Sequence, residues 1–516
     1  MSVRFGWLLP AALALGLPLV FDPRGSDGFV LPRVGLLIAV AGTVAVAGLW
    51  ARSTALGPLT FPSIAVAAAA VLSCAFSVSV PSSIVGAYER YDDVVVRLAY
   101  LGAFAASAWF LPTQTERRRT VSLFILASCT IAVEGLWQSF SGLMQRPDGN
   151  LGQPNLLGVL LAMSIPLCLN RGRSDRRWFA PIPLLGTALL VSGSRSAWVG
   201  TVIGCGALLV LLVPTKRRPG AAAAAILALT AVLALVLATP LRNLDSDTGS
   251  ARLHVWSDSI ALIAARPLTG WGEDTFGLVY GHFQRGDWEP GGSFDRVHSE
   301  PLDLLASQGV AGLLAGLWFW GVFWVRLVRR AGVEEAAAIG AAWVVYASWA
   351  LLNFDWAPAT GPIWLLSGVA WATIREPRGE QQPVRARKLP VWVAAALTPM
   401  LCVAVVGRSV LAPIADRYEF ADSHLVATAL DPLQAYYHEQ AGIAAMDASR
   451  WTVAEAELSR AWTLGEDDAG SYVELGDVES VLGNRDAARR AYERSLQIDP
   501  YYADARQRLS QLNQGG

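Results

Sequence analysis

Along the chain, apolar blocks of about 17 to 24 residues alternate with shorter polar segments. A helix of about 20 apolar residues crosses the hydrocarbon core of a bilayer, so blocks of this length predict membrane-spanning helices. The pattern predicts about thirteen spans and an all-α fold. The blocks are residues 5–21, 33–50, 59–78, 94–112, 120–140, 155–169, 178–194, 197–213, 220–240, 302–325, 336–352, 361–374 and 389–407.

The polar connections alternate in charge. Arginine and lysine concentrate in 117–119, 171–177, 216–218, 326–330 and 375–388, whereas 79–93, 141–154 and 353–360 carry few of them. Cytoplasmic loops of membrane proteins are enriched in these residues, so the basic set is predicted to be cytoplasmic. The amino terminus is then cytoplasmic, and an odd number of spans places the carboxyl terminus outside. Block 5–21 is followed by "DPRGSDG" rather than a small-residue cleavage site, so it is interpreted as a first span.

Two segments are longer than the other connections. Residues 241–301 form a predicted outer loop rich in Trp, Gly, Asp and Arg, and a loop of this length and composition predicts a functional role. The second segment is a polar, alanine-rich tail that begins near residue 410. We therefore divide the chain into a membrane domain, 1–408, and a tail domain, 409–516.

The tail contains a repeat of period 34. Gly442 recurs as Gly476 and Ala454 as Ala488, and small residues at these offsets allow two antiparallel helices to pack closely. The stretch "YVELGDVESVLGNRDAARRAYERSLQIDP" resembles a tetratricopeptide repeat, which predicts an α-solenoid tail that binds a protein partner. A helical hairpin without a repeat array is the alternative.

Composition narrows the class of protein. Hydrophobic residues make up 53% of the chain and charged residues 16%, which excludes an ordinary soluble protein of this size. The formal net charge of -1 gives no indication of a nucleic-acid partner. The five cysteines all lie in apolar blocks without a CxxC pair, so neither a disulfide framework nor a zinc site is predicted.

Five motifs follow one another in a fixed order. Together they resemble the O-antigen ligase and polymerase family, which includes bacterial protein O-oligosaccharyltransferases, over about residues 80 to 375. Three positions depart from the family pattern: Ser299 replaces a common Asn, Gln308 a common Glu and Gln153 a common Asn. The motifs are "GQPNLLGVLLAMSIPL" (152–167), "SGSRSAWVG" (192–200), "RLHVWSDSIALIAARPLTGWGEDTF" (252–276), "HSEPLDLLASQGVAGLL" (298–314) and "LLNFDWAPATGP" (351–362).

The resemblance implies a GT-C-like polytopic helix bundle in the bacterial inner membrane. It further implies transfer of a glycan from an undecaprenyl diphosphate carrier to an acceptor, namely lipid A core, protein or a surface glycan, at the outer membrane surface without a metal or cofactor. A polymerase of the same family, with a second lipid-linked glycan as acceptor, is the first alternative. A non-catalytic membrane scaffold or transporter that uses its tail to recruit partners is the second.

The chemistry of such a reaction selects the candidate residues. A diphosphate leaving group needs cations, and the planar guanidinium of arginine binds phosphate oxygens with two hydrogen bonds. Arg195 lies near the end of an apolar span, where an arginine is costly, while Arg252 and Arg90 lie on other outer segments. His298 is the candidate acceptor of the proton that the attacking hydroxyl loses. The predicted catalytic residues are His298, Arg195 and Arg252, and the predicted substrate-binding residues are Arg90, Glu300 and Trp271.

Each candidate has a structural alternative. Arg195 is then an interfacial snorkelling residue, Arg252 an ordinary loop charge and Arg90 a structural arginine. His298 is then a cap for a helix beginning near Pro301. Glu300 either orients His298 or complements the helix amino terminus. Trp271 either stacks on a sugar or anchors the loop at the membrane interface.

Overall fold

The computed structural model describes residues 5–50, 56–213, 215–238, 250–288, 294–330, 333–375, 390–466 and 468–514. Residues 241–249 and 289–293 of the predicted outer loop, residues 239–240 of the block before it, and residues 376–389 with most of the last basic connection lie outside the described residues. Across the described ranges the chain forms helices and no β-strand, which confirms the predicted all-α class.

The helices are numbered in chain order. The membrane part contains α1 Leu8–Leu19, α2 Leu31–Trp50, α3 Thr60–Ala75, α4 Val80–Val85, α5 Val94–Phe110, α6 Gln114–Phe140, α7 Pro154–Gly172, α8 Pro181–Val191, α9 Arg195–Leu212, α10 Arg218–Ala238, α11 Ser250–Ala265, α12 Phe276–Tyr280, α13 Glu300–Arg329, α14 Glu334–Ala350, α15 Ala357–Ile374 and α16 Val391–Val406. The tail contains α17 Ala412–Phe420, α18 His424–Leu430, α19 Ala435–Asp447, α20 Trp451–Leu464, α21 Ala469–Val481, α22 Arg485–Ile498 and α23 Ala503–Gln514.

Each of the predicted apolar blocks forms a helix, but the helices differ in length. Seven helical stretches of the described chain are long and apolar enough to cross a membrane. The remaining blocks form α1, α5, α8, α10, α14 and α15, so the count of thirteen spans stays a prediction. The seven stretches are Leu31–Trp50, Gly57–Ala75, Gln114–Phe140, Pro154–Gly172, Arg195–Leu212, Glu300–Arg329 and Val391–Phe420.

Small residues bring the helix backbones together around α7, the most deeply buried of the long helices. Gly158 on α7 packs against Ser194 and Ala197 at the start of α9. Gly200 on α9 packs against the backbone of Val345 on α14. Helix association in a bilayer depends on such close van der Waals packing, because apolar side chains gain little by leaving lipid.

The helix α13 is broken inside the bundle. Gly309 has φ 65° and ψ −163°, which interrupts the helical hydrogen bonds between residues 300–308 and 310–329. Backbone hydrogen bonds with the segment Pro267–Gly272 take the place of the interrupted helical hydrogen bonds. The N–H groups of residues 310 and 311 donate to the carbonyls of residues 267 and 268, and those of residues 271 and 272 donate to the carbonyls of residues 306 and 307. The freed backbone groups are thus satisfied within the protein, as a membrane environment requires.

The bundle has two chemically different ends. At one end the guanidinium of Arg171 donates to Glu335 at 3.0 Å and to the carbonyl of Arg118 at 2.7 Å. Gly6 lies at this end, since it packs against Phe110 at the last turn of α5. The first turn of α5 and the tail lie at the other end, where Gln434 of the tail donates to the carbonyl of Gly86 and Arg408 donates to Asp93. The described amino-terminal residues and the tail therefore lie at opposite ends of the bundle, and their orientation in the membrane stays a prediction.

The tail is a succession of helical pairs. α19 packs on α20, and α21 packs on α22. Gly442 packs against Leu458 and Gly476 against Tyr492, so the spacing of 34 residues separates both the two glycines and the two side chains they meet. The assignment to tetratricopeptide repeats stays a prediction.

Candidate active site

The loop Leu351–Trp356, between α14 and α15, is where the predicted site segments meet. Arg252 on α11 donates through Nη1 to the carbonyl of Leu352 at 3.0 Å. Asn353 Nδ2 donates to the hydroxyl of Ser196 at 3.3 Å, and its carbonyl accepts from the N–H of Glu300 at 2.8 Å. Because Ser196 follows Arg195, one short loop gathers the segments of Arg195, Arg252 and His298.

The aromatic ring of Phe354 lies at the centre of a cluster of side chains from these segments. The imidazole of His298 lies 5.4 Å from the ring, centroid to centroid. The guanidinium carbons of Arg90 and Arg296 each lie 5.7 Å from the ring centroid, within cation–π distance. Trp356 adds a second face for Arg90 at 4.9 Å. Arg90, Arg296 and His298 are thus brought together although they come from two different loops.

His298 lies immediately before the helix start but is not its cap. Ser299 is the N-cap residue and α13 begins at Glu300. His298 has φ 56°, in the left-handed region that is unusual for a residue with a side chain. Its half-buried ring lies between Phe294 and Phe354. The backbone turn therefore directs the imidazole toward the Phe354 ring rather than along the helix.

Beneath this surface lies the first of two buried arginines, Arg97 in the first turn of α5. Its guanidinium donates to Asp92 at 2.8 Å, Glu300 at 3.0 Å and Asp355 at 2.7 Å. Glu273 lies 3.6 Å from its Nε. The second carboxylate oxygen of Glu300 accepts from the N–H of Asp355 at 2.8 Å. Glu300 therefore joins α5, α13 and the Leu351–Trp356 loop.

The second buried arginine is Arg296, only 1% exposed. It forms an ion pair with Asp274, donates to Asp303 at 3.1 Å and lies 3.4 Å from Asp92. Asp274 in turn accepts from the N–H groups of Ala87 at 2.7 Å and Asp92 at 3.1 Å. Asp92 is shared by both arginines, so the two sets of ion pairs form one network.

The network contains more carboxylates than guanidinium groups. Removing charges from water is costly, and an acid without a full cationic partner responds by holding its proton. Burial raises the pKa of Asp92 and of Asp274, and raises that of Glu273 to about 6. Both arginines are buried and hold several carboxylates in place, so they organise the site. The six carboxylates are Asp92, Glu273, Asp274, Glu300, Asp303 and Asp355.

Other arginines lie nearer the surface of the site. The side chain of Arg90 is 27% exposed and pairs with Asp295. Burial alone would raise the pKa of Asp295, but Arg90, Arg296 and His298 together hold it below its usual value. Arg195 is the first residue of α9 and is half-buried. Arg146 Nε lies 3.4 Å from the carbonyl of Ser192, beside the same turn.

Sequence reasoning missed Arg97, Arg296, Arg146 and Phe354. The sequence does contain an indication for Arg97, because it lies inside an apolar block, where an arginine is rare unless it is paired. The predicted Trp271 lies against the buried network, because it lines a small void together with Asp274, Arg296 and Asp303. Its indole N–H donates to the carbonyl of Leu262 at 2.9 Å, and Arg266 covers its ring at 4.3 Å. Among the described residues, its ring contacts do not include the Phe354 cluster.

A cavity of about 260 Å³ opens between α3, α5, α13, α14 and α15 and reaches this network. Its lining includes Arg97, Glu300 and Asp355 of the network. The hydroxyl of Tyr100, in its wall, is buried without a hydrogen-bond partner among the described residues. The remaining wall is mainly apolar, including Leu98, Leu101, Leu304, Leu313, Leu317, Trp320, Trp343 and Trp364. This lining suits an apolar molecule that carries a polar group.

The fold and site define a multi-pass helical membrane protein with a charged site at one end of its bundle, above an apolar cavity. Residues 181–317 match the model of the O-antigen ligase family, and this domain runs from α8 into α13. It includes Arg195, Arg252, Trp271 and His298, and the family resemblance is confirmed. Residues 181–317 are therefore similar to a domain of the O-antigen ligase family, set within a helical membrane protein. No curated protein matches the chain. The described part of the chain contains no group of three or more His, Cys, Asp and Glu side chains arranged to hold a metal ion.

Proposed function

We propose that the protein is a membrane glycosyltransferase of the ligase type. It transfers a glycan from an undecaprenyl diphosphate carrier to lipid A core, protein or a surface glycan on the extracytoplasmic side of the inner membrane. The single observation that carries this proposal is the cavity that joins an apolar interior to the charged site. An isoprenoid chain gains free energy by entering apolar space, while its diphosphate needs cations at the membrane surface.

Arg90, Arg195 and Arg252 are the proposed diphosphate ligands. They come from three separate segments that meet the Leu351–Trp356 loop: Arg90 contacts Trp356, Arg252 contacts Leu352, and Ser196, which follows Arg195, contacts Asn353. Guanidinium groups held in place where charge develops stabilise a departing diphosphate. Arg97 and Arg296 fix the framework beneath them. The sequence-based roles of Glu300 and Trp271 in substrate binding stay predictions.

His298 is the proposed general base. The acceptor hydroxyl oxygen attacks the anomeric carbon, the bond from that carbon to the diphosphate oxygen breaks, and the hydroxyl proton passes to the imidazole. Asp295 lies close enough to His298 and Arg90 for its own titration to respond to both. A carboxylate in this position stabilises the imidazolium that forms. The step uses no metal ion or cofactor.

The surrounding organisation is part of the proposal. Residues 1–408 form the membrane domain with a cytoplasmic amino terminus, and residues 409–516 form an extracytoplasmic tetratricopeptide domain that binds a protein partner. A polymerase would differ only in its acceptor, a second lipid-linked glycan. A scaffold would use the tail without any reaction.

The product formed in vitro separates these functions. The purified full-length protein is reconstituted in liposomes with a lipid-linked glycan, alone or with lipid A core as acceptor. A ligase transfers the glycan to the core and releases undecaprenyl diphosphate. Chain growth on the carrier without a second acceptor would identify a polymerase. If core, protein and surface-glycan acceptors all leave the donor intact, the transferase proposal is wrong.

A further inference from the structure

The loop Gly86–Asp93, which carries Arg90, has an unfavourable backbone. Glu89 has φ 65° and Tyr91 has φ 47°, so the two residues flanking Arg90 both lie in the left-handed region. Gly86, at φ 85°, begins the turn. Residues with side chains keep this conformation only where the surrounding structure holds them. The direction of Arg90 therefore depends on the contacts on both sides of this loop.

On the membrane side, the loop is held by the site itself. Asp274 accepts hydrogen bonds from the N–H groups of Ala87 and Asp92, near the two ends of the loop. The indole N–H of Trp356 donates to the carbonyl of Glu89 at 3.1 Å. These contacts fix the ends and one face of the loop.

On the other side, the loop is held by the tail. The hydroxyl of Tyr88 donates to Asp416 on α17 at 2.5 Å. The ring of Tyr88 stacks on that of Tyr436 on α19, with centroids 3.9 Å apart and an interplanar angle of 12°. Gln434 Nε2 donates to the carbonyl of Gly86 at 3.4 Å. Tyr88 is therefore clamped by two tail helices, two positions before Arg90.

Asp416 makes several of the contacts between the tail and the rest of the protein. It is 2% exposed. Its Oδ1 accepts from Tyr437 at 3.3 Å as well as from Tyr88, and its Oδ2 accepts from the N–H of Asp27 at 3.0 Å. One carboxylate thus joins the tail, the α1–α2 connection and the Arg90 loop.

A π-helical turn connects the same tail to the bundle. Residues Gly407–Leu411 form this turn between α16 and α17. Arg408 within it donates to the carbonyl of Val85 at 2.5 Å and to Asp93 at 3.2 Å. Residues on both flanks of the loop are therefore tied to the chain that leads into the tail.

We propose that the tail helices α17 to α19 position Arg90 for the lipid diphosphate, with Tyr88 and Asp416 as the positioning residues. The inference rests on the proposed role of Arg90 in donor binding. It makes the beginning of the tail a structural part of the reaction centre. Tyr88 and Asp416 act through the backbone of Glu89 and do not touch the substrate.

The test is a double-mutant cycle on donor binding. The full-length protein is placed in nanodiscs, and its Kd for undecaprenyl diphosphate is measured with Tyr88→Phe, Arg90→Ala and the double variant. We expect Arg90→Ala to weaken binding about tenfold and Tyr88→Phe about threefold to tenfold. In the Arg90→Ala background Tyr88→Phe has no further effect, because residues that act through one group are not additive. Asp416→Asn, which replaces one accepting oxygen, follows the same pattern.

Tyr492→Phe is the matched control. Its hydroxyl donates to Asp477 at 2.8 Å within the tail, so this variant also loses a tyrosine–aspartate hydrogen bond, but away from the loop. We expect its Kd to equal that of the wild type. A melting curve for each variant confirms that it is folded.

The outcomes separate the two proposals. If Arg90→Ala binds the probe as the wild type does, the proposed role of Arg90 in donor binding is wrong and the positioning inference falls with it. If Arg90→Ala weakens binding while Tyr88→Phe and Asp416→Asn do not, only the positioning inference is wrong. Equal losses from Tyr88→Phe in both backgrounds would also overturn it, since Tyr88 would then act independently of Arg90.

Discussion

Arg97 and Glu300 are joined by a hydrogen bond of 3.0 Å that ties the first turn of α5 to the first residue of α13. The same guanidinium binds Asp92 and Asp355, so one side chain connects three segments around the site. The surface that carries His298 and Arg90 therefore rests on a buried ionic layer, and its geometry depends on that layer.

Removal of Arg97 is expected to destabilise the whole protein. Breaking a buried ion pair by deleting one partner typically costs about 3–5 kcal/mol, because the remaining charges stay buried. Arg97→Met should lower the melting temperature in detergent and reduce the amount of inserted protein. Arg119→Met, an exposed arginine at the start of α6, is the control. Equal melting temperatures for both variants would contradict a structural role for Arg97.

His298→Ala is expected to abolish most turnover without loss of folded protein. Loss of a general base typically lowers the rate about a hundred- to ten-thousand-fold. The control is His254→Ala, because His254 is exposed in the same region and its ring stacks on Trp288 at 4.0 Å. Glycan transfer in liposomes measures both variants. A His298→Ala enzyme as fast as His254→Ala would leave the base unassigned.

Gly309→Ala is expected to distort the break in α13. The glycine has φ 65°, and a Cβ there would lie 2.5 Å from the backbone of Leu268. The carbonyls of Pro267 and Leu268, which accept hydrogen bonds from α13, must then move. Both the melting temperature and the turnover should therefore fall. Gly321→Ala in the same helix meets nothing within 4 Å and should raise helix stability by about 0.5–1 kcal/mol. If the two alanines behaved alike, the break would have no structural importance.

Glu273 predicts a pH dependence of stability. Its pKa is raised from 4.5 to about 6 by burial, so between these values the folded protein binds more protons than the unfolded chain. Stability contributed by this group falls as pH rises from about 4.5 to 6, by about 2 kcal/mol in total. Glu273→Gln should flatten the stability profile in that window, whereas Asp287→Asn, at an exposed carboxylate, should leave its slope unchanged. An unaltered slope in Glu273→Gln would show that the carboxyl is ionised throughout.

Cysteine labelling tests the orientation. A cysteine at Gln514, in the last helix of the tail, should react with an impermeant maleimide added to intact spheroplasts. A cysteine at Arg119 should react only after the membrane is opened. The wild-type chain sets the background, because its five native cysteines include the exposed Cys402. The reverse pattern would invert the topology.

Hydropathy was sufficient to predict the helices of the apolar blocks, but it did not predict α4, α11 and α12 or the break in α13. Gly309 lies inside the apolar block 302–325, which predicts one continuous span. The interruption depends on the carbonyls of Pro267 and Leu268, which belong to a different segment. Backbone pairing between distant segments leaves no periodic signal in either of them.

Only part of the site could be predicted from the sequence. The positions of Arg195, Arg252 and His298 followed from the family resemblance, and the structure gathers their segments on the Leu351–Trp356 loop. The network around Arg97 and Arg296 was missed, since its acids are distributed over residues 92, 273–274, 300–303 and 355. Each of these charges is unremarkable alone, and only their burial together gives them a role.

The helical run Val391–Phe420 has a mechanical consequence for the acceptor. Its 30 residues span about 45 Å, against a hydrocarbon core of about 30 Å. With its lower end at the membrane boundary, the run extends about 15 Å beyond the other boundary. This excess length is close to that of α17, and Arg408 and Asp416 attach it to Val85 and Asp27 of the bundle. The first tail helix is therefore held beside the Arg90 loop, so a molecule that reaches Arg90 must approach past the tail.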